Sequence, residues 1–153
     1  MILQGVNMIK AITAALLLSL SMTAFALSPE QIAEYRAAAD KGEAWAQYNL
    51  GIMYANGEGV PEDDATAVKW YTKAAEQGDA AAQNNLGVMY EDGHGVPQDN
   101  VMAYMWWNLA AAQGDENAKE NKGKLQDSMT SAQIEEAQTL SRECLAKDYK
   151  NCG

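Results

Sequence analysis

The sequence predicts an all-α fold: a solenoid of antiparallel helix pairs with a capping helix at each end. The main observation is an internal repeat, since residues 44–79 and 80–115 align without a gap and are identical at 20 of 36 positions. A period of this length is typical of helical solenoids. Apolar residues recur at spacings of three and four within each copy, as on one face of a helix. Helix-capping sequences on both sides of the repeats complete the prediction.

The first 26 residues are predicted to be an export signal. Lys10 precedes the apolar run 11–20, and Ala24-Phe25-Ala26 supplies a small-x-small cleavage pattern. We therefore expect a mature chain that begins at Leu27, with Met8 as an alternative start that places Lys10 directly before the apolar run. The run is shorter than the roughly 20 residues of a membrane-spanning helix. The expected location is periplasmic or secreted, with no membrane insertion after signal cleavage.

Charge argues against a nucleic-acid partner. The full chain has 11 basic and 21 acidic residues, a net charge of −10, and loss of Lys10 with the signal leaves 10 − 21 = −11. Binding to polyphosphate needs a basic face instead. The acidic surface fits either simple solvation or attraction to a basic protein partner.

Residues 27–43 are predicted to form the N-terminal capping helix. Ser28-Pro29-Glu30-Gln31 is a capping box with proline at the first helical position, and Leu27 and Ile32 are placed as its hydrophobic staple.

Each repeat copy is predicted to contain two helices joined by a Gly-x-Gly-Val-Pro corner. Gly57 and Gly93 suit the left-handed end of the first helix, and a proline four residues later prevents its continuation. Asp63 and Asp99 are predicted N-caps of the second helices. The apolar positions of the four helices are Ala46, Leu50, Met53 and Tyr54; Ala67, Trp70 and Ala74; Ala82, Leu86, Met89 and Tyr90; and Ala103, Trp106 and Ala110.

The glycines of this corner also raise the alternative of a phosphate-binding loop. Such a loop presents backbone N–H groups to an anion at the start of the following helix. In the first copy that start carries Glu62, Asp63 and Asp64, whose carboxylates would repel phosphate. The turn interpretation is therefore favoured.

Residues 116–153 are predicted to form C-terminal capping helices and a tail. Thr130 and Gln133 form a second capping box, so a helix is expected from Ser131 to about Ala146. A disulfide between Cys144 and Cys152 is expected in an oxidising compartment. On an unbroken helix their Cα atoms would be about 12 Å apart, beyond the roughly 7 Å that a disulfide spans. The helix should therefore end near Lys147 and the tail should fold back.

The second helices differ between the copies along one face. Thr66, Lys69 and Lys73 of the first copy become Met102, Met105 and Leu109 of the second. We expect the apolar face to pack against the C-terminal helix; a methionine-rich docking surface is the alternative. The expected contacts on the C-terminal helix are Ile134, Ala137, Ser141 and Leu145.

Two segments resemble Sel-1-like repeats, relatives of the tetratricopeptide repeat: "AQYNLGIMYANGEGVPEDDATAVKWYTKAAEQGD" and "AQNNLGVMYEDGHGVPQDNVMAYMWWNLAAAQGD". Both contain the L-G-x-M-Y, G-x-G-V-P, W and A-A-x-Q-G-D elements. The resemblance implies a right-handed stack of helix pairs, with repeats at 44–79 and 80–115, and a protein or peptide bound in its concave groove. It also allows a narrower role as an immunity-type inhibitor of a secreted toxin.

First helices of this family line the groove, so the resemblance places a second stripe of residues near a binding surface. Trp45, Tyr48 and Ile52 of the first copy become Ala81, Asn84 and Val88 of the second, while Asn49 and Asn85 are the same. Tyrosine and tryptophan are common at the energetic centres of interfaces. The alternative for Trp45 is packing on Tyr35 or Ala38. The predicted partner-binding residues are Trp45, Tyr48, Asn49, Ile52, Asn84, Asn85 and Val88.

The sequence contains little that supports catalysis. His94 is the single histidine, and no cysteine lies near it, so neither a metal nor another cofactor is expected. Some cysteine-rich relatives have been linked to penicillin binding, which makes a β-lactamase-like hydrolase the alternative. However, no serine is followed by lysine in the Ser-x-x-Lys spacing, and neither repeat contains cysteine. We therefore predict a binding protein rather than an enzyme.

Overall fold

The structure is a computed structural model that describes residues 27–153; the predicted export signal lies outside the described residues. This part of the chain folds into seven α-helices without a strand and forms an all-α helical-repeat solenoid. The helices are α1 (Pro29–Asp40), α2 (Ala44–Asn56), α3 (Asp64–Ala75), α4 (Ala80–Asp92), α5 (Asn100–Ala112), α6 (Glu116–Gln126) and α7 (Ser131–Ala146).

Helix α2 packs on α3, and α4 packs on α5, so each repeat copy is one helix pair. Contacts between α3 and α4 join the two pairs. Helix α1 covers α2 at one end, and both α6 and α7 pack on α5 at the other. The apolar ends of the repeat array are thereby covered, as a solenoid requires.

The capping sequences form the expected hydrogen bonds. Ser28 Oγ accepts from the backbone N–H of Gln31 at 3.3 Å, and the Ser28 N–H donates to Gln31 Oε1 at 2.9 Å. Thr130 and Gln133 repeat this arrangement at the start of α7. Asp63 and Asp99 cap α3 and α5. These bonds satisfy N–H groups that the first helical turn leaves free.

The two glycines of each corner have different tasks. Gly57 and Gly93 end α2 and α4 in the left-handed conformation, with φ of 68° and 74°. The second glycine provides close contact between neighbouring units. A Cβ on Gly59 would overlap Ile32 of α1, and one on Gly95 would overlap the backbone at Asp64. The repeated corner is therefore both a turn and a packing surface.

Buried glutamines connect successive helix pairs. Gln83 Nε2 donates to the Ala75 carbonyl at 3.2 Å, and Gln83 Oε1 accepts from Gln113 Nε2 at 2.8 Å. Gln47 makes the equivalent bonds in the preceding unit, to Ala39 at 3.2 Å and from Gln77 at 2.7 Å. Because the same two bonds recur one period apart, both boundaries are built in the same way.

Trp70 and Trp106 occupy equivalent positions of the two repeats, but only one of them is buried as predicted. Trp106 is 0% exposed, as expected for a core residue. Trp70 is only partly buried, and Lys73 Nζ lies 4.1 Å from the centre of its ring. The prediction that Trp70 belongs to the core was therefore wrong. The identical residue has a different environment because α7 and the tail are present only on the side of the second copy.

Packing of α7 on α5 is confirmed for most of the expected residues. Met105, Leu109, Ala137 and Ser141 are buried, and Ser141 Oγ donates to the Met105 carbonyl at 3.4 Å. Leu145 is 45% exposed, however, so its predicted contact was wrong. Cys144 is buried in its place, because it lies on the same helix face as Ala137 and Ser141, at i, i+4 and i+7.

The disulfide between Cys144 and Cys152 is present, with a Cα–Cα distance of 5.2 Å. Helix α7 ends at Ala146, Lys147 is its C-cap, and the tail (residues 148–153) folds back. This outcome agrees with the distance argument from the sequence.

Candidate protein-interaction surface

The sequence-predicted binding residues lie on one side of α2 and α4, which we call the first-helix face. Its members are Trp45, Tyr48, Asn49 and Ile52 of α2 and Asn84, Asn85 and Val88 of α4. None of the seven is fully buried. The residues that alternate with them, such as Leu50 and Leu86, are buried in the core. Helical spacing therefore brings the predicted residues to the surface as a group.

Trp45 is the most exposed large aromatic residue of this face. Its side chain is 49% exposed, and its ring meets Tyr35 edge-on with a centroid distance of 5.8 Å. The predicted contact with Tyr35 thus exists, yet half of the indole faces solvent. A shallow depression lined by Gln31, Glu34, Tyr35 and Trp45 lies beside it, with a volume of about 120 Å³. Trp45 is therefore held in place and accessible at once.

Tyr48 connects the face to the core. Its ring lies 6.0 Å from that of Tyr71, and the Asn85 side chain lies beside both hydroxyl groups. Burial and the negative charges of Asp79 and Asp115 raise the pKa of Tyr48. Burial also raises the pKa of Tyr71 to about 12. Both hydroxyls therefore remain neutral donors at ordinary pH.

Three asparagines lie at equivalent positions of successive first helices. Asn49, Asn85 and Asn121 are spaced 36 residues apart, on α2, α4 and α6. Asn49 Nδ2 donates to the Trp45 carbonyl at 2.7 Å, and Asn121 Nδ2 donates to Asn84 Oδ1 at 3.5 Å. Asn121 was missed from sequence because α6 keeps few repeat residues. Counting one further period from Asn85 would have found it.

A row of carboxylates follows the same period. Glu43, Asp79 and Asp115 are the N-cap residues of α2, α4 and α6. Asp79 and Asp115 accept backbone hydrogen bonds at 2.8 Å, whereas Glu43 makes no capping bond. Since the charges of Asp79 and Asp115 reach Tyr48, they act on the first-helix face.

The remaining predicted residues form the base of this face. Ile52 and Val88 are partly buried and pack against the core. The Asn84 carbonyl accepts a hydrogen bond from Trp107 Nε1 at 3.0 Å, so the backbone of Asn84 is fixed by the second helix. These residues support the surface more than they project from it.

His94 lies apart from this surface, on the corner after α4. Its Nδ1 is 3.3 Å from Asp64 Oδ2, and its side chain is exposed. Within residues 27–153, no three histidine, cysteine, aspartate or glutamate side chains are grouped to hold a metal ion. Over the same residues, no helix is both long enough and apolar enough to cross a membrane.

The Sel1 repeat family matches residues 46–79 and 80–115. A solved structure of c5321, described as a protective antigen of uropathogenic Escherichia coli with an SLR fold, is 36% identical with a TM-score of 0.75. The match covers 80% of this chain and 26% of that one. A Sel1 repeat protein from Oxalobacter formigenes is 44% identical with a TM-score of 0.54, over 55% of this chain and 64% of that one. No curated protein matches.

This chain therefore spans about a quarter of the length of the first relative and less than two thirds of the second. Its fold is that of a helical-repeat scaffold. More narrowly, the chain carries two repeats of the Sel1 repeat family. Proteins of this family in general bind other proteins and lack catalysis of their own.

Proposed function

We propose that the first-helix face binds an extended, cationic segment of a partner protein. The observation that carries this proposal is the asparagine row, one side chain in each of three successive first helices. An amide offers both a donor and an acceptor, which are the groups that an extended backbone presents. Such a row suits a strand-like segment that runs across α2, α4 and α6.

Charge supports a basic partner. The chain has a net charge of −10, and the carboxylates of Asp79 and Asp115 act on the first-helix face. Lysine or arginine side chains of the partner would gain from these charges and from contact with the open indole of Trp45. Charge complementarity of this kind mainly raises the association rate and the specificity.

We further propose that the protein works outside the cytoplasm. The Cys144–Cys152 disulfide supports this location, because such bonds persist in oxidising compartments. The Ala24-Phe25-Ala26 pattern agrees with export, although it lies outside the described residues.

Binding of immobilised extended peptides tests the proposal, with cationic, neutral and acidic sets of equal length. Wild type should prefer the cationic set, and Trp45→Ala should weaken that binding by roughly thirtyfold, the effect of losing about 2 kcal/mol at an interface anchor. Trp70→Ala is the matched control, because it removes a partly buried tryptophan from α3 rather than from the first-helix face. Equal losses in both variants, or no preference among the peptides, would overturn the proposal.

A further inference from the structure

The tail crosses from α7 to the boundary between the two repeats. The Tyr149 ring lies against Gly78, where a Cβ would be 3.3 Å from Tyr149 Cε2. The Asn151 N–H donates to Glu76 Oε1 at 2.9 Å, a contact across 75 residues of sequence. The tail thus reaches the turn that joins α3 to α4.

The end of this path covers one edge of Trp106. A Cβ placed on Gly153 would lie 3.4 Å from Trp106 Cζ2 and 3.8 Å from the Tyr90 hydroxyl. Cζ2 adjoins the carbon that bears the indole nitrogen. Trp106 is 0% exposed, whereas its repeat equivalent Trp70 has no such cover and is partly exposed. The tail, together with α7 packed on α5, therefore accounts for the difference between the two tryptophans.

The covered state is under local strain. Asp148, Tyr149 and Asn151 have φ of 50°, 64° and 53°, a left-handed conformation that aspartate and asparagine tolerate but that is unfavourable for tyrosine. Trp106 Nε1 is also buried without a hydrogen-bond partner among the described residues. Release of the tail would relax the backbone and let water bond the indole N–H. Both effects favour opening once the covalent constraint is removed.

The disulfide constrains the tail without tying any two repeat helices together. It joins α7 to a point eight residues further along the chain. Apart from it, the tail contacts the repeats through the Asn151 N–H bond to the Glu76 side chain, the Tyr149 ring and the passage over Trp106. Backbone N–H groups of Asp148 and Tyr149 also donate to the last turn of α7. Loss of the bond should therefore free the tail while the hydrogen bonds between repeats remain.

We propose that the disulfide-held tail is a redox-operated cover over Trp106. A protein dithiol would open it by thiol–disulfide exchange: its thiolate bonds to one cysteine sulfur and releases the other cysteine as a thiolate. The second thiol of the reductant then closes its own disulfide and releases the remaining cysteine. Two electrons pass to the Cys144–Cys152 pair, and each cysteine thiolate takes up a proton. The reduced form presents the Trp106 indole, which the oxidised form hides, beside the partly exposed Tyr90.

Hydrogen–deuterium exchange of the Trp106 and Trp107 indole N–H groups, followed by NMR, tests this proposal. The samples are oxidised protein, protein reduced with dithiothreitol, and the Cys144→Ser/Cys152→Ser variant; Trp106→Phe assigns the Trp106 signal. We expect exchange at Trp106 to rise at least about tenfold in the reduced and variant forms. Trp107 is the internal control, because its N–H donates to the Asn84 carbonyl away from the tail and should stay protected.

Unchanged exchange at Trp106 would overturn the proposal, since the tail would then stay docked without its disulfide. Faster exchange at Trp106 and Trp107 together would also overturn it, because reduction would then unfold the repeat rather than open a cover. The Glu76→Ala variant adds a second check in the oxidised protein. Loss of its bond to Asn151 should leave Trp106 protected if the disulfide is the main constraint.

Discussion

The indole of Trp107 lies directly over Gly87, and its Nε1 donates to the Asn84 carbonyl at 3.0 Å. A Cβ on Gly87 would overlap the indole ring. The first copy has the same arrangement, with the Tyr71 ring over Gly51. The glycine of the L-G-x-M-Y element is therefore the position at which the second helix of each pair approaches the first.

Gly87→Ala should destabilise the protein by about 1 to 3 kcal/mol, because the added methyl group displaces Trp107 and disturbs its hydrogen bond. Chemical denaturation followed by circular dichroism measures the change. Gly123→Ala is the matched control at the equivalent position of α6, where no atom lies within 4 Å of the added group. That variant should gain up to about 1 kcal/mol, as alanine does over glycine in a helix. The same loss in both variants would contradict this reading of Gly87.

Trp106→Ala should lower the free energy of unfolding by about 3 to 5 kcal/mol, as expected for a large buried side chain. Trp70→Ala should cost clearly less, because that ring is already partly exposed. The difference between their denaturation midpoints checks the prediction. Equal losses would indicate that the tail does not shield Trp106.

Gln83→Ala should cost about 1 to 3 kcal/mol, because it removes two buried hydrogen bonds, one to the Ala75 carbonyl and one from Gln113. The measurement is again the free energy of unfolding. Gln77→Ala provides the comparison, since Gln77 is exposed and water can replace its bond to Gln47. If the two variants were equally stable, the buried amides would contribute nothing specific to the boundary between repeats.

Alkaline unfolding should depend on Tyr71. Its pKa is raised from 10 to about 12 by burial, so the folded state favours the neutral phenol. The resulting stabilisation is fully present below pH 10 and is lost as the pH rises towards 12. Titration by ultraviolet absorbance should show a late-ionising tyrosine that is absent from Tyr71→Phe. A wild-type titration complete near pH 10 would refute the prediction.

Local signals predicted the helices well, because capping boxes, left-handed glycines and apolar spacing all act within a few residues. Burial of equivalent residues was harder to predict, since Trp70 and Trp106 differ through α7 and the tail, which lie far from them in the sequence. Leu145 was misplaced because the buried face of α7 continues from Ser141 to Cys144, at i+3, rather than to Leu145, at i+4. The hydrogen bonds of Gln47 and Gln83 had no sequence signal beyond their identity, as a glutamine is usually exposed. The surface position of the seven predicted binding residues followed from helical spacing; their role in binding remains a prediction.

The glutamine bonds make the boundary between α1 and the first pair chemically the same as that between the two pairs. A third 36-residue unit inserted between Asp79 and Ala80 would pack against a helix pair on each side, and each new boundary could form the same glutamine hydrogen bonds. Array length is thus an adjustable property of this molecule. A lengthened chain would extend the asparagine row by one rung while α1 and α7 still close its ends.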